Sequence, residues 1–168
     1  MFTAWQSFYQ MTGEVAATLI GLLFIVVSLT STRPSSGHVR GMKLFTTPTV
    51  YHLVSVLVVS ALALAPEGED AVRSAVMSAW AVLGTAYTIW LFVGLRGISD
   101  PTHWSDSWCY GVAPSLVYMA LIAATGSTAL GVPHAVSFIA ACLMALLLVT
   151  IRNAWDLITW LAPRRDSL

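Results

Sequence analysis

The sequence predicts an all-α integral membrane protein built as a bundle of five transmembrane helices. Of its 168 residues, 57% are hydrophobic and only 10% are charged, and the mean hydropathy is +0.77. Soluble domains contain less apolar and more charged sequence. Apolar runs close to the roughly 20 residues that a helix needs to cross a bilayer recur along the chain. We therefore expect one transmembrane domain over residues 1–168, with no separate soluble part.

Five apolar segments are the expected spans, and they lie at residues 8–30, 49–65, 74–95, 107–125 and 134–151. Beyond the fifth segment, Ile151, Trp155 and Ile158 fall on one face of a continuing helix. This pattern predicts an amphipathic extension over residues 152–162, which either lies in the membrane interface or projects into the cytoplasm.

The basic residues predict the orientation of the bundle. Arg73 is the exception to a pattern in which the basic residues fall on one side of the five spans. The residues on that side are Arg33, Arg40, Lys43, Arg96, Arg152, Arg164 and Arg165. Because basic loops stay in the cytoplasm, the N terminus is expected outside and the C terminus inside.

The first span carries both a packing motif and an ionisable residue. Gly13, Ala17 and Gly21 are spaced four residues apart, a pattern that admits close approach of another helix. Glu14 is the sole ionisable residue between about Gln10 and the end of this span. A carboxylate inside the hydrocarbon layer is costly and tends to mark a conduction path, a proton site or a partner. The alternative is that Glu14 extends outward to the interface from the first turns of its helix.

Arg73 is the expected partner of Glu14. Both residues lie on helices whose N termini point outward, and helical side chains lean toward the N terminus of their helix. The two charged groups are therefore expected to meet near the outer interface and form an ion pair.

Polar residues of the second and third spans offer two further candidate sites. His52 is expected near the inner headgroups, as an interfacial hydrogen-bonded residue or a pH-linked one. Small and hydroxyl-bearing residues of the third span form one continuous stripe: Ser74, Ser78, Ala81, Thr85 and Thr88. The stripe predicts close helix packing, and the alternative is that Ser78, Thr85 and Thr88 line a pore.

Two short segments, at residues 13–24 and 152–160, resemble stretches of small, uncharacterised bacterial polytopic inner-membrane proteins. The resemblance implies a bacterial inner-membrane protein with several spans. It implies no activity, ligand or functional residue.

The sequence does not favour an enzyme. It contains no histidine pair spaced four residues apart, no Cys-x-x-Cys and no glycine-rich phosphate loop, so we expect neither a metal nor another cofactor. A net charge of zero gives no reason to expect nucleic acid binding. The leading hypothesis is a small homo-oligomeric channel for ions or small solutes, with its pore at the symmetry axis. The alternative is a non-conducting accessory or regulatory subunit that packs against another membrane protein.

Overall fold

The computed structural model is an all-α bundle, and it describes residues 2–30, 36–66, 69–96 and 108–161. A short 3₁₀ helix at Phe2–Trp5 leads into the first α-helix, and a π-helical turn at Trp108–Val112 leads into the fourth. The five α-helices are α1 (Gln6–Thr30), α2 (Ser36–Leu64), α3 (Asp70–Arg96), α4 (Ala113–Ala129) and α5 (Ala135–Leu161).

Five helical stretches of the described chain are long and apolar enough to cross a membrane. Their bounds are Phe2–Leu29, Thr46–Leu64, Asp70–Val93, Trp108–Ala129 and Ala135–Thr159. Each of the five predicted segments overlaps one of these stretches. The last helix continues without interruption past residue 151 as far as Leu161, so the amphipathic extension is part of α5 itself.

The helices pack in two extensive pairs that α2 and α5 join into one bundle. The first pair is α1 with α2, and the second is α3 with α4. Helix α2 also packs on α5 and α3, while α5 packs on α4 and α1. A buried core cluster includes Tyr9, Leu53, Met77, Tyr118 and Leu143, which come from all five helices. The chain is therefore a single packed unit in which α2 lies close to the middle.

The end of the bundle that carries Phe2 is held together around Arg73. The guanidinium of Arg73 lies over the Phe2 ring, with its central carbon 5.3 Å from the ring centroid. It donates hydrogen bonds to the Ala65 carbonyl at 2.8 Å and to the Asp70 carboxylate at 3.2 Å. Phe2 itself is buried. These contacts tie the start of the chain to the connection between α2 and α3.

The opposite end is closed by Asn153 of α5, which is fully buried. Its amide donates to the Cys109 carbonyl at 3.0 Å, and its own backbone carbonyl accepts from the Tyr110 hydroxyl at 3.0 Å. Pro114 follows closely and cannot donate to the carbonyl four residues before it. The π-helical turn lies where that bond is missing, and Asn153 supplies polar contacts there.

Several residues on which the predicted orientation depends are not placed by the structure. Arg33, Arg164 and Arg165 lie outside the described residues, as do the side chains of Arg40, Lys43 and Arg96. Of the predicted extension, residue 162 also lies outside them.

Candidate functional site

Helices α3 and α4 meet through a row of paired hydroxyl groups, which we term the hydroxyl interface. Its paired members are Ser74, Ser78 and Thr88 of α3 with Thr128, Thr125 and Ser115 of α4, and Thr85 belongs to the same face of α3. Ser74 bonds Thr128, the Ser78 and Thr125 hydroxyl oxygens are 2.6 Å apart, and those of Thr88 and Ser115 are 2.8 Å apart. Thr85 donates back to the Ala81 carbonyl at 2.9 Å. The predicted hydroxyl stripe on α3 therefore packs against another helix of the same chain.

Gly84 allows α3 and α4 to approach closely within this interface. A Cβ atom built at Gly84 would lie 2.5 Å from the Tyr118 ring, far inside van der Waals contact. The aromatic ring of Tyr118 therefore occupies the space that a side chain at position 84 would take. Neither residue was identified as important from the sequence, although Gly84 lies three residues beyond Ala81 on the small-residue face of α3.

The buried face of α1 is a different one from the predicted ridge. Thr12 and Ser60 bring their hydroxyl oxygens within 3.0 Å, and a Cβ at Gly13 would meet the Ser60 Cβ at 3.3 Å. Ala17 and Gly21 are exposed, and nothing lies within 4 Å of a Cβ at Gly21. The ridge of Gly13, Ala17 and Gly21 is thus packed within the protomer at Gly13 alone. The physical reason is that each step of four residues turns the face by about 40° around the helix axis.

The exposed face of α1 carries a row of polar and small residues, which we term the α1 stripe. Its members are Ser7, Gln10, Glu14, Ala17, Thr18, Gly21 and Ser28. At 100° per residue they fall within an arc of about 100°. Most of the large apolar residues that are exposed on α1, such as Leu22, Phe24 and Leu29, fall outside that arc. Ile25 falls within it. The most polar side of α1 therefore points away from its own bundle.

Glu14 lies in the middle of the α1 stripe and does not meet Arg73. The Glu14 carboxylate accepts a hydrogen bond from the Gln10 amide at 3.0 Å, and the Glu14 carbonyl accepts from Thr18 at 2.8 Å. Arg73 instead binds Asp70, the Ala65 carbonyl and the Phe2 ring. The predicted ion pair of Glu14 with Arg73 is absent from the described part of the protomer. Arg73 turns toward the start of its own helix, whereas Glu14 faces outward from α1.

His52 lies inside the bundle and is fully buried. Its Nδ1 atom is 3.0 Å from the Tyr118 hydroxyl. The Tyr118 hydroxyl donates to Ser55 at 2.8 Å, and Ser55 donates to the Tyr51 carbonyl at 2.9 Å. The His52 Nε2 atom is buried and has no hydrogen-bond partner among the described residues. We refer to His52, Tyr118, Ser55 and Tyr51 as the histidine network.

Aromatic side chains surround one side of the histidine network. The Tyr51 ring lies 6.0 Å from His52, 6.3 Å from Tyr118 and 4.4 Å from Tyr87, between ring centroids. Trp80 stacks on Tyr51 at 6.3 Å, and its Nε1 atom is buried without a partner among the described residues. Tyr51 is thus the centre of an aromatic cluster between α2, α3 and α4.

Most of the site residues predicted from the sequence therefore separate into three places, while Gly13 packs on Ser60 and Arg73 lies over Phe2. Glu14, Ala17 and Gly21 lie on the outward face of α1. Ser78, Thr85 and Thr88 lie between α3 and α4, and His52 lies within the protomer core. No group of three or more metal-ligating side chains comes together within the part of the chain that the structure describes.

No protein-family model matches the chain, and neither the curated proteins nor the solved structures contain a significant match.

Proposed function

We propose that the protein is a small oligomeric membrane channel for ions or small solutes, in which α1 of each protomer lines a pore on the symmetry axis. The α1 stripe carries this proposal. Ser7 and Ser28, at its two ends, are about 30 Å apart along the helix, which is about the thickness of the hydrocarbon layer. A row of polar and small groups, interrupted by Ile25 between Gly21 and Ser28, therefore extends over this length on the side of α1 that its own bundle does not cover.

The physical cost of the alternative placement supports this arrangement. If the α1 stripe faced lipid, Glu14 and Gln10 would lie against hydrocarbon, where ionisable and polar groups are expensive. Closed rotational symmetry brings the same face of every protomer to the axis. The α1 stripes would then line a shared aqueous path, with one Glu14 carboxylate from each protomer forming a ring of negative charge. Such rings favour cations.

The hydroxyl interface argues that the path does not run through α3. The hydroxyls of Ser78 and Thr88 are each within 3 Å of a hydroxyl on α4. They are therefore committed to joining two helices of one protomer and are not free to coordinate a solute.

A second candidate function is a non-conducting accessory subunit. The open space beside Gly21, and the exposure of Ala17 one turn away, favour it because small residues let a second backbone come close. In this case a helix of another membrane protein would cover the α1 stripe, and Glu14 would bind a cationic or hydrogen-bonding side chain of that partner.

Cysteine accessibility tests the lining of the pore. Single cysteines at Gln10, Ala17 and Gly21, in a background that lacks Cys109 and Cys142, are expected to react with a membrane-impermeant thiol reagent. Cysteine at Leu22 is the control for an exposed but lipid-facing position on α1, and cysteine at Ser78 is the control for the hydroxyl interface. Silence at all three stripe positions would contradict the channel and favour the accessory subunit.

Reconstitution separates conduction from assembly. In liposomes, Glu14→Gln is expected to lower cation flux while native mass measurement in nanodiscs shows an unchanged oligomer. Glu69→Gln, outside the spans, is the matched control and should conduct like the parent. A monomeric, non-conducting protein would contradict the proposal.

The orientation and location are part of this proposal. The distribution of basic residues supports an N terminus outside and a cytoplasmic C terminus. The resemblance of residues 13–24 and 152–160 to bacterial inner-membrane proteins supports insertion in that membrane. A reporter fused after Leu168 should then be cytoplasmic, and a tag between Pro66 and Asp70 should be accessible from outside. Reversed labelling of both would contradict the orientation.

A further inference from the structure

Each hydrogen bond of the histidine network has a defined donor and acceptor, and this order follows from the Tyr51 carbonyl at its end. The Tyr51 carbonyl can only accept, so Ser55 must donate its single hydroxyl proton there. Ser55 is then free only to accept from Tyr118, and Tyr118 uses its one proton in that bond. The contact between Tyr118 and His52 Nδ1 therefore requires Nδ1 to carry the proton. The network runs from His52 through Tyr118 and Ser55 to the backbone of α2.

This direction determines the state of the other ring nitrogen. A neutral imidazole carries one proton, so with Nδ1 protonated the Nε2 atom of His52 has a free lone pair. Nε2 is also the buried ring atom that lacks a partner among the described residues. Buried polar atoms without partners are rare in folded proteins and often mark a role. Here the unpartnered atom is a base inside the bundle.

We propose that Nε2 of His52 is a proton-binding site within the bundle, and that an added proton weakens the packing of α2 against α4. The imidazolium would keep its Nδ1 bond to Tyr118 and gain a second N–H that has no acceptor. It would also place a positive charge at a fully buried position. Burying a charge without a partner is strongly unfavourable, so the helices around the ring would separate to admit water.

Among the described residues, the groups around His52 include no anion that would compensate that charge. Its own helix presents Tyr51 to it, α4 presents Tyr118, and Tyr87 of α3 contacts Tyr51. From α1, Tyr9 donates to the Val136 carbonyl of α5, and Cys142 of α5 lies close to Tyr9. No carboxylate within the described chain forms an ion pair with His52. This inference does not rest on conduction and holds for a channel or an accessory subunit alike.

The tautomer can be observed directly in the unaltered protein. ¹⁵N-histidine-labelled full-length protein in nanodiscs should show, at about pH 8, a His52 ring with a proton on Nδ1 and none on Nε2. On acidification toward about pH 4, the Nε2 signal should move to that of a protonated nitrogen. A His52 ring with its proton on Nε2 at the higher pH, or a His52 signal that stays unchanged on acidification, would overturn the proposal.

A substitution then tests the consequence for packing. His52→Asn places an amide N–H near the position of Nδ1, so it can still donate to Tyr118 but cannot take up a proton in this range. The parent should lose several degrees more melting temperature than His52→Asn when the pH is lowered from about 8 to about 4. Acidic residues titrate in both proteins, so their contribution cancels in the comparison.

His134→Asn is the matched control. His134 lies outside the helices with φ of 66°, a backbone conformation that asparagine tolerates well. This variant should keep the full pH response of the parent. Equal losses for the parent and His52→Asn would overturn the proposal. If His52→Asn does not fold, the titration of the unaltered protein still decides.

Discussion

Two polar surfaces of this bundle, the hydroxyl interface and the α1 stripe, differ in whether their groups have partners. In the hydroxyl interface, hydroxyls of α3 and α4 bond each other across two helices of one protomer. In the α1 stripe, Glu14 bonds within its own helix and the stripe faces outward. Both rows look alike in sequence, as small and polar residues at helical spacing. Helical spacing alone therefore does not tell whether polar residues pair within the bundle or face outward from it.

The largest expected difference in stability comes from replacing a glycine by leucine in each of the two polar surfaces. Gly84→Leu forces a side chain into the Tyr118 ring, and overpacking of this kind typically costs about 1–3 kcal/mol or more. Gly21→Leu meets open space in the protomer and should leave its fold intact while weakening assembly. Thermal melting reports the first effect and native mass measurement the second. Equal melting temperatures for the two variants would mean that α3 and α4 do not pack as described.

A smaller effect is expected when the charged residues at the two places are neutralised. Arg73→Gln removes a side chain that is 12% exposed, and bonds to charged groups are worth roughly 1.5–3 kcal/mol. Glu14→Gln removes an exposed charge and should leave the stability of the protomer nearly unchanged. Melting of monomeric protein in detergent compares them. A double variant whose loss differs from the sum of the single losses would show that Glu14 and Arg73 interact after all.

The pair of Ser78 and Thr125 should contribute less. A double-mutant cycle with Ser78→Ala and Thr125→Val is expected to give a coupling of about 0.6 kcal/mol, the average for hydrogen bonds between membrane helices. The cycle is measured by unfolding of the full-length protein in detergent. Zero coupling would mean that water or other groups replace the bond and that the interface is not dry.

The smallest single effect is expected from Thr18 of α1, which lies on the exposed side of that helix, whereas Thr12 lies on the buried side. Thr12→Val breaks a buried contact with Ser60 and should destabilise the protomer by about 0.5–1.5 kcal/mol. Thr18→Val loses a bond to the Glu14 carbonyl on the exposed side, and its effect on protomer stability should be close to zero. The same unfolding assay distinguishes them. A larger loss for Thr18→Val would place the wrong face of α1 inside the bundle.

The sequence was sufficient to predict the five helices, but not the pairing between them. Apolar length determines whether a helix can span a membrane, so five spans could be counted. Periodicity shows which residues share a face, but it does not say which helix that face meets. Tyr118 and Gly84 therefore went unnoticed, because their importance lies in contact with each other and with His52.

The face of α1 that the bundle buries could not be predicted for a related reason. Two faces of α1 are equally regular in sequence, one formed by Tyr9, Thr12 and Ala16 and the other by Gly13, Ala17 and Gly21. The bundle buries the face that carries Tyr9. Size decides the outcome, since Tyr9 reaches α5 and fills space that small residues leave empty. A four-residue repeat of small residues shows where another helix can approach closely. It does not show that a helix of the same chain does so.

The bond from Tyr9 to the Val136 carbonyl joins the first helix to the last, across 127 residues of sequence. During synthesis α1 emerges long before α5, so the buried face of α1 cannot form its contacts with α5 until the end of the chain has been made. Until α5 is inserted, Tyr9, Thr12 and Ala16 can be covered by α2 alone. Chains that stop before residue 135 should therefore leave α1 loosely held, and quality-control proteases should remove them faster than the complete protein. The packing of α1 is thus completed only when α5 has been inserted.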